Sequence, residues 1–247
     1  MRLDAALVAR GLARSRKQAA ELIAAGTVRV NGRVAHKAAA PVADTDAVAA
    51  ASDHYVSRAA HKLLGVLAET STPIGGRALD AGASTGGFTQ VLLERGCGPV
   101  YAVDVGHGQL APALRADPRV VVREGLNLRD LTLTEVDGVP VDVVVADVSF
   151  ISLTLLVGPL LGVLRPQGVA LFMVKPQFEV GRGRLGAHGV VTDAALRAEA
   201  VDGVVRAAAA LGWACDWRGE TALSGTTGNR EFFVRLRRAP GTVTGAQ

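Results

Sequence analysis

Residues 80–89 read Asp80-Ala81-Gly82-Ala83-Ser84-Thr85-Gly86-Gly87-Phe88-Thr89, and this stretch determines the predicted fold. The short apolar run at 77–80 predicts the end of a strand, and the apolar spacing across 88–95 predicts a helix. A strand, a glycine-rich turn and a helix in this order form the cofactor-binding unit of a doubly wound α/β sheet. Glycine suits the turn because a Cβ would disfavour positive φ and keep the backbone away from a ligand. Free N–H groups at the helix N-terminus would face the same ligand.

The ligand is indicated by the spacing of the glycines. They fall at Gly82, Gly86 and Gly87, which departs from the G-x-G-x-x-G pattern of dinucleotide-binding proteins. Asp80 precedes them, and an aspartate at a strand end suits a ligand that has an ammonium group and no phosphate. S-adenosylmethionine has both properties. An ordinary turn between a strand and a helix is the alternative.

Two later positions complete the expected cofactor site. Asp104, 24 residues after Asp80, ends the second predicted strand, where nucleotide-binding folds place a carboxylate on ribose hydroxyls. Glu124 and Gly125 follow the third predicted strand, where the adenine edge is usually recognised, although a plain turn would have the same residues. The expected contacts to S-adenosylmethionine are Asp80, Gly82, Ser84, Thr85, Gly86, Gly87, Phe88, Asp104, Glu124 and Gly125.

The composition predicts a folded protein with an uneven charge. The chain has 247 residues, of which 49% are hydrophobic and 20% charged, enough for one large domain or a large and a small one. The formal net charge is +4, but residues 1–62 contain ten Lys/Arg and only five Asp/Glu. A basic N-terminal segment on a nearly neutral body favours a polyanionic partner such as nucleic acid. A solvated basic face is the alternative.

Several classes of protein are disfavoured. Cys97 and Cys215 are the only cysteines and have no metal-ligand spacing, so we expect neither a disulfide framework nor a metal site. The N-terminus has no apolar signal segment. The longest uncharged run, Val148 to Leu164, has 17 residues, fewer than the roughly 20 that a membrane helix needs, and is interpreted as a buried loop and helix. We expect a cytoplasmic monomer without membrane contact.

The first 37 residues predict a compact module of two helices and a hairpin. Residues 2–10 form the first helix, Ser15 caps the second, and that helix ends near Gly26. Asn31-Gly32 predicts a type I′ turn between two short strands. The module leaves basic side chains available to solvent or phosphate: Arg2, Arg10, Arg14, Arg16, Lys17, Arg29, Arg33 and Lys37.

The same module resembles the alpha-L RNA-binding domain first seen in a ribosomal protein. The matching words are R-L-D at 2–4, L-V-x-R-G-L at 7–12, S-R-x-x-A at 15–19 and G-x-V-x-V-N-G at 26–32. The resemblance covers residues 2 to about 50 and implies contacts to the backbone of structured RNA. We expect an RNA-binding domain at residues 1–54 and a second domain at 55–240.

The second domain has an alternating strand and helix pattern. Further strands are predicted at 120–122, 141–147, 169–175, 213–217 and 231–236, and a helix at 193–211 after a cap at Thr192. This alternation predicts a parallel sheet with helices on both faces. Ligands bind beyond the carboxyl ends of such strands, which here are Asp80, Asp104, Asp147 and Lys175. A buried lysine beside an aspartate at this edge is costly unless the two form an ion pair or take part in the chemistry. A structural ion pair and a catalytic role both remain open.

The chain resembles, over nearly its whole length, the TlyA (hemolysin A-like) rRNA methyltransferases, which are close to the FtsJ/RrmJ ribose methyltransferases. The matching words are V-S-R at 56–58 with Lys62-Leu63, D-A-G-A-S-T-G-G-F-T at 80–89, D-V-G-H-G-Q-L at 104–110, D-V-S-F-I-S at 147–152, K-P-Q-F-E at 175–179 and G-N-R-E at 228–231. One departure is A-L-S-G-T-T at 222–227, where the family begins with Ser-Pro, which leaves the shape of that loop open. The implied fold is a Rossmann-like S-adenosylmethionine-dependent methyltransferase domain after a small α+β RNA-binding domain.

The resemblance implies a 2′-O-methyltransferase acting on cytidines of ribosomal RNA within ribosomal subunits, with Lys62, Asp147, Lys175 and Glu231 as catalytic residues. A ribose hydroxyl is a weak acid, and a desolvated lysine near a second cation can act as a general base. We hypothesise that Lys175 is the base, that Lys62 tunes it or holds the substrate, and that the two acids orient the lysines. The resemblance also places Arg58 among the RNA contacts.

Other sequence features bear on the acceptor and on the RNA contacts. The motif D-V-S-F at 147–150 stands where a base-nitrogen methyltransferase would have an Asn- or Asp-Pro-Pro-aromatic motif that holds an exocyclic amine. Its absence favours a hydroxyl acceptor. Phe150 at a strand end is more typical of a core position than of stacking on the nucleotide or cofactor. The basic loop 181–186 could close over RNA phosphates or simply be solvated. Alternative functions are a non-catalytic RNA-binding protein, a membrane-active cytolysin and, least favoured, a nicotinamide oxidoreductase.

Overall fold

A computed structural model describes residues 1–13, 15–50, 54–225 and 228–239, apart from the side chains of Arg182 and Ala187. Arg14, one of the expected RNA contacts, lies outside these residues. The chain divides into two compact units, residues 1–54 and 55–247. Each unit has its own buried apolar core, and they are described separately below.

The first unit packs two helices on a three-stranded sheet. Its elements are α1 (Leu3–Ala9), α2 (Arg16–Ala24), β1 (Val28–Val30), β2 (Arg33–Val34) and β3 (Val48–Ala50). The strands are antiparallel in the order β2-β1-β3. Asn31 and Gly32 both have positive φ, +51° and +78°, which confirms the type I′ turn predicted between β1 and β2. Ser15 Oγ accepts a hydrogen bond from the Gln18 N–H at 3.2 Å, so the predicted cap of α2 is also confirmed.

The second unit is a seven-stranded sheet with helices on both faces. Its strands are β4 (Gly76–Ala81), β5 (Cys97–Asp104), β6 (Val120–Glu124), β7 (Val141–Ala146), β8 (Leu164–Val174), β9 (Trp213–Glu220) and β10 (Phe232–Arg238). Its α-helices are α3 (Ala59–Thr70), α4 (Gly87–Glu94), α5 (Pro112–Arg115), α6 (Val157–Gly162), α7 (Pro176–Glu179) and α8 (Ala194–Ala209). Short 3-10 turns lie at Leu128–Asp130, Leu133–Val136, Leu153–Leu155, Arg182–Arg184 and Ala187–Gly189.

The strand order is β6-β5-β4-β7-β8-β10-β9, and the five strands from β6 to β8 are parallel. The prediction of a parallel sheet is wrong for β10, which runs antiparallel to both β8 and β9. The physical reason is the connection: no helix occurs in the described part of residues 221–231, and a parallel pairing needs a long crossover whereas an antiparallel pairing does not. β10 therefore folds back beside β9 and is inserted next to β8.

Two local predictions are corrected. Helix α8 begins at Ala194 rather than Asp193, because the Asp193 side chain is its cap and accepts a hydrogen bond from the Ala195 N–H at 2.7 Å. The segment 148–164 is only partly buried: Phe150 is 93% exposed and therefore not a core residue. Phe150 also has a positive φ of +66°, which is rare for a non-glycine residue and turns its side chain away from the apolar interior.

Alternation along the strands gives each face of the large sheet a separate apolar layer. Leu79 and Ala81 lie in one layer, with α6 and α8, whereas Ala78 lies in the other, with α3 and α4. Asp80 belongs to the second face because its neighbours alternate in this way. Among the residues that the structure describes, no helix is long and apolar enough to cross a membrane.

The second layer depends on an aromatic pair that joins α4 to β10. The rings of Phe88 and Phe233 lie 6.0 Å apart, and Phe233 is fully buried. We predict that Phe233→Ala lowers the free energy of unfolding by about 3–5 kcal/mol, because a large buried side chain is lost and a cavity remains. Denaturant unfolding measures this change. Leu155→Ala, at a position that is 54% exposed, is the control and should change it by less than about 0.5 kcal/mol.

Candidate active site

The glycine-rich turn after β4 is held against the strand ends on both sides. The N–H groups of Gly82 and Ala83 both donate to the Val103 carbonyl, at 2.9 and 3.0 Å. Gly82 has a φ of +85°, and a Cβ there would lie 2.6 Å from the Asp147 carbonyl oxygen. Positive φ was predicted for this turn and is found, but the crowding at Gly82 comes from the neighbouring strand rather than from a ligand.

Asp80 is a fully buried carboxylate beneath this turn. Its Oδ2 accepts a hydrogen bond from Thr89 Oγ1 of α4 at 2.7 Å. Its Oδ1 is buried and accepts no hydrogen bond from any residue that the structure describes. Burial raises the pKa of Asp80 to about 7, partly opposed by the Thr89 hydrogen bond and reinforced by the nearby charge of Asp147. An unpaired buried carboxylate oxygen is costly, which makes this atom a candidate to receive a donor from a ligand.

Asp104 holds the turns that follow β4 and β5. Its Oδ2 accepts from the Ser84 N–H at 2.8 Å, and its Oδ1 accepts from the Gly106 N–H at 2.7 Å. The carboxylate is only half-buried and remains accessible from a neighbouring cavity. Its position at the end of β5 is the one expected for a group that contacts ribose hydroxyls.

Two adjacent cavities meet at this edge of the sheet. One has a volume of about 290 Å³ and contains Asp80, Thr85, Gly87 and Phe88 in its wall. The other has a volume of about 600 Å³ and is lined by Asp104 with the apolar side chains of Val105, Leu126 and Leu156. The walls of both include Gly82, Ser84, Asp147 and Ser149.

These cavities suit the two ends of S-adenosylmethionine. The unpaired Asp80 oxygen lies where an ammonium group or a water bound to it could donate, which fits the amino acid end. The larger, more apolar cavity with Asp104 fits an adenosine. The expected contacts at Gly86, Glu124 and Gly125 do not line either cavity; Leu126 and Asn127 do. Glu124 instead accepts from the Gly108 N–H at 2.9 Å and pairs with Arg115.

The four expected catalytic side chains form two ion pairs. Lys62 Nζ, from α3, lies 2.5 Å from Glu231 Oε2. Lys175 Nζ, at the end of β8, lies 2.6 Å from Asp147 Oδ1. The two lysine side chains are each only 11% exposed. All four residues line the smaller cavity, so the structure brings together side chains that are up to 169 residues apart in sequence.

Ser149 contacts one of the expected catalytic residues, although sequence reasoning did not single it out. The Lys175 ammonium donates a hydrogen bond to Ser149 Oγ at 2.8 Å, whereas its approach to Asp147 Oδ1 is an ion pair without hydrogen-bond geometry. Ser149 is exposed and lies on the wall shared by the two cavities. The only sequence feature that could have indicated Ser149 is its position two residues after Asp147 in the motif at 147–152.

Glu231 depends on the antiparallel position of β10. Phe232 pairs with Val174, so the residue before β10 lies beside Lys175, the residue after β8. The loop that precedes Glu231 is anchored by Asn229, which is 1% exposed. Asn229 Oδ1 accepts from the Val191 N–H at 2.9 Å, and its amide donates to the Gly189 carbonyl at 3.1 Å. The segment 222–227, where the sequence departs from the family pattern, includes Thr226 and Thr227, which lie outside the described residues.

The expected RNA-contacting residues differ in what they bind within the first unit. Arg10 donates to the carbonyls of Asp46, Ala43 and Asp44 at 2.6, 2.9 and 3.3 Å, and so holds the loop before β3. Arg29 donates to the Gly32 carbonyl at 2.9 Å. Exposed side chains are found at Arg2, Arg16, Lys17, Arg33 and Lys37.

In the second unit, Arg58 is exposed and lines the smaller cavity. Within the basic loop 181–186, Arg184 pairs with Glu199 at 2.7 Å and donates to the Val180 carbonyl, also at 2.7 Å. No group of three or more metal-ligating side chains occurs among the residues with described positions.

Comparison with known proteins connects both units to families. A family model described as FtsJ-like methyltransferase matches residues 55–238, and one described as S4 domain matches residues 1–48. A relative from Mycobacterium tuberculosis, named 16S/23S rRNA (cytidine-2′-O)-methyltransferase TlyA, is 53% identical over 96% of this chain and 89% of its own length. Hemolysin A of Brachyspira hyodysenteriae is 36% identical over 96% of this chain and 99% of its own length.

Solved structures agree with the predicted fold. A Streptococcus thermophilus protein, provisionally named a hemolysin, superposes with a TM-score of 0.76 at 33% identity and covers 97% of this chain and 89% of its own. An S-adenosylmethionine-dependent methyltransferase from Mesorhizobium loti has a TM-score of 0.50 at 16% identity over 70% of this chain and 96% of its own. The latter likeness concerns the fold alone. The prediction of a methyltransferase fold after a small RNA-binding domain is confirmed.

Burial of Asp80 makes the stability of the protein depend on pH. Its pKa rises from 3.8 in the unfolded chain to about 7 in the folded protein. Between these two pH values the folded state holds a proton on Asp80 that the unfolded state has lost. We predict that stability decreases as the pH rises from about 4 to about 7, and that Asp80→Asn flattens this part of the curve. Urea unfolding at a series of pH values measures it. Asp117→Asn is the control: its pKa is lowered to about 2, so the curve above pH 4 should keep the slope of the unmodified protein.

Proposed function

Because this chain belongs to the TlyA family of FtsJ-like methyltransferases, we propose that it methylates the 2′-hydroxyl of cytidine in ribosomal RNA, with S-adenosylmethionine as the methyl donor. The assignment of the substrate rests on the relative named an rRNA (cytidine-2′-O)-methyltransferase, of which this chain spans 89%. RNA within assembled ribosomal subunits is the proposed form of the substrate, which would place the enzyme with ribosomes in the cytoplasm.

The observation that carries the proposal is the enclosure of two lysines and two carboxylates in one small cavity. Buried ion pairs rarely stabilise a protein more than apolar packing would, so two of them at the sheet edge favour a role in chemistry. The cavity adjoins the larger one that suits an adenosine. A substrate oxygen in the smaller cavity would therefore lie near a cofactor bound across the wall that both cavities share.

The chemistry follows from the side chains in that cavity. When bound, the cofactor supplies an electrophilic methyl group on a sulfonium. In its neutral form, Lys175 accepts the proton of the ribose hydroxyl as the oxygen bonds to the methyl carbon, and the carbon–sulfur bond would break to leave a neutral thioether. Asp147, 2.6 Å from Lys175 in the ion-paired form, stabilises the resulting ammonium. Lys62, held by Glu231 at 2.5 Å, orients the ribose and offsets negative charge that develops on its oxygen. Positioning of the hydroxyl for in-line transfer supplies much of the remaining acceleration.

The first unit and Phe150 would hold the RNA. Exposed arginines and lysines of an S4 domain suit contacts to phosphates, which position an RNA without reading its bases. Phe150 is 93% exposed, borders the larger cavity and lies 5.4 Å from the ring of Phe178. An exposed aromatic at this place offers a surface on which an unstacked base can lie.

The central experiment incubates purified small and large ribosomal subunits with the protein and labelled S-adenosylmethionine, followed by alkaline hydrolysis. Methylation of a 2′-oxygen protects the adjacent linkage from alkali, because that oxygen can no longer attack its phosphate. Label in alkali-resistant dinucleotides that begin with cytidine supports the proposal. Label that is released in ordinary mononucleotides would mean that a base is methylated instead.

Loss of the proposed base should stop the reaction. We predict that Lys175→Ala lowers turnover by at least about 100-fold, because the cavity then lacks the amine proposed to accept the proton of the ribose hydroxyl. The affinity for S-adenosylmethionine, measured by calorimetry, should stay near that of the unmodified protein. Lys175→Arg keeps the positive charge, but its guanidinium stays protonated and cannot accept a proton, so this variant should be equally inactive. Turnover that survives in either variant contradicts the base role.

Binding of the cofactor should change the ionisation of Asp80. A ligand ammonium near Asp80 favours the charged carboxylate, so we predict that S-adenosylmethionine binding at about pH 6.5 releases protons. Calorimetric titrations in two buffers that differ in ionisation enthalpy measure the number released. Asp80→Asn should remove the buffer dependence and weaken binding. Equal binding enthalpies in both buffers for the unmodified protein would rule out this use of Asp80.

A further inference from the structure

Asp4 in the first unit is a buried carboxylate that binds two arginines. Arg2 Nε and Nη2 donate to its two oxygens, both at 3.1 Å, and Arg16 Nη2 donates to Oδ2 at 3.0 Å. The side chain of Asp4 is 7% exposed, whereas those of Arg2 and Arg16 are 53% and 62% exposed. The acid is therefore inside the unit, and the two guanidinium groups lie side by side at its surface.

The position of this carboxylate is well defined by its surroundings. The Asp4 N–H donates to the Ala38 carbonyl at 3.0 Å, and Asp4 Oδ1 also accepts from the Ala5 N–H at 2.9 Å. The hydrogen bonds from Arg2 and Arg16 hold the pKa of Asp4 well below its usual range, so the group is charged throughout the physiological range. A fixed, charged acceptor keeps two long side chains in one arrangement.

This arrangement differs from that of Arg10 and Arg29 in the same unit. The guanidinium groups of Arg10 and Arg29 donate to backbone carbonyls, and so hold a loop and a turn. Arg2 and Arg16 instead share an acid and expose most of their surface. Two guanidinium groups so close together would repel each other in the absence of the intervening carboxylate.

We propose that Asp4 is a positioning residue for RNA binding, and that it holds Arg2 and Arg16 together as one site for a phosphate of the RNA backbone. The proposal rests on the proposed function in that ribosomal RNA is the ligand. Guanidinium forks bind phosphate through paired hydrogen bonds, and side chains that are already held in place lose less entropy on binding. The pair together with Asp4 has a net charge of +1, so it still attracts an anion.

A purely structural role for Asp4 is the competing explanation. An acid in the first turn of α1 stabilises that helix irrespective of RNA. For an Asp4→Asn variant that folds, the two explanations predict opposite changes in RNA affinity. Removal of a negative charge strengthens binding to a polyanion if charge alone matters. It weakens binding if the carboxylate is needed to hold the arginines in place.

The experiment measures the dissociation constant of the full-length protein for purified ribosomal subunits at several salt concentrations. We expect Asp4→Asn to weaken binding about tenfold despite the added positive charge, and to lower the salt-dependence slope by about 1–2. Asp117→Asn is the matched control. Asp117 is bound by the single guanidinium of Arg119, outside the S4 domain, and its removal changes the net charge equally. Binding by this control should be unchanged or slightly tighter.

A second pair of variants avoids the risk that Asp4→Asn fails to fold. Arg2→Lys keeps the charge but cannot form the paired hydrogen bonds that Arg2 makes with Asp4. We expect it to weaken binding about fivefold. Arg119→Lys alters the same kind of fork, which joins Arg119 Nε and Nη2 to Asp117 at 3.0 and 2.7 Å, and should have no effect on binding.

The outcomes separate this proposal from the proposed function. Binding by folded Asp4→Asn that equals or exceeds that of the unmodified protein overturns the positioning role, while methyl transfer by the unmodified protein would stand. Equal affinities for Arg2→Lys and Arg119→Lys overturn it as well. An unmodified protein that fails to bind either ribosomal subunit would overturn the proposed function and this inference together.

Discussion

The close approach of the Asp147 backbone to the turn after β4 is the constraint on which the site depends. The Asp147 N–H donates to the Ala81 carbonyl at 2.9 Å. A Cβ on Gly82 would lie only 2.6 Å from the Asp147 carbonyl oxygen. Only glycine permits this contact at a positive φ. The same residue then directs its carboxylate to Lys175. One contact between two parallel strands thus sets both the shape of the glycine-rich turn after β4 and the position of the ion pair between Asp147 and Lys175.

The antiparallel last strand has a comparable effect on the second ion pair. A regular parallel order would add each new strand with its carboxyl end at the ligand edge. Because β10 runs in the opposite direction, its N-terminal end lies at this edge of the sheet. Glu231, the residue before β10, therefore lies beside the end of β8. Lys62 of α3, which packs on the same face of the sheet, then meets Glu231 at 2.5 Å. Both lysines consequently have a carboxylate partner despite their burial.

Buried carboxylates are used in two different ways in this protein. Asp80 lies under the glycine-rich turn after β4, and one of its oxygens accepts no hydrogen bond from the described residues. Its pKa is raised because burial disfavours the charged carboxylate. Asp4 is bound by two arginines, and its pKa is lowered. The first retains bonding capacity that a ligand can satisfy. The second directs its carboxylate oxygens to a backbone N–H and to two arginine side chains of its own unit, and holds these arginines at the surface.

The sequence by itself determined the two-part organisation, the glycine turn with Asp80 and the strand ends at Asp104, Asp147 and Lys175. These features depend on local patterns: turn chemistry, apolar alternation and the direction of a strand relative to its helix. The antiparallel course of β10, the exposure of Phe150, the use of Arg10 within a loop and the pairing of Asp4 with Arg16 were decided only by the tertiary structure. Each of these depends on which distant segment lies alongside, and a local pattern does not specify that. The proposed catalytic set illustrates the division, because resemblance to a family indicated Lys62 and Glu231, whereas only the folded chain brings the two within 2.5 Å of each other.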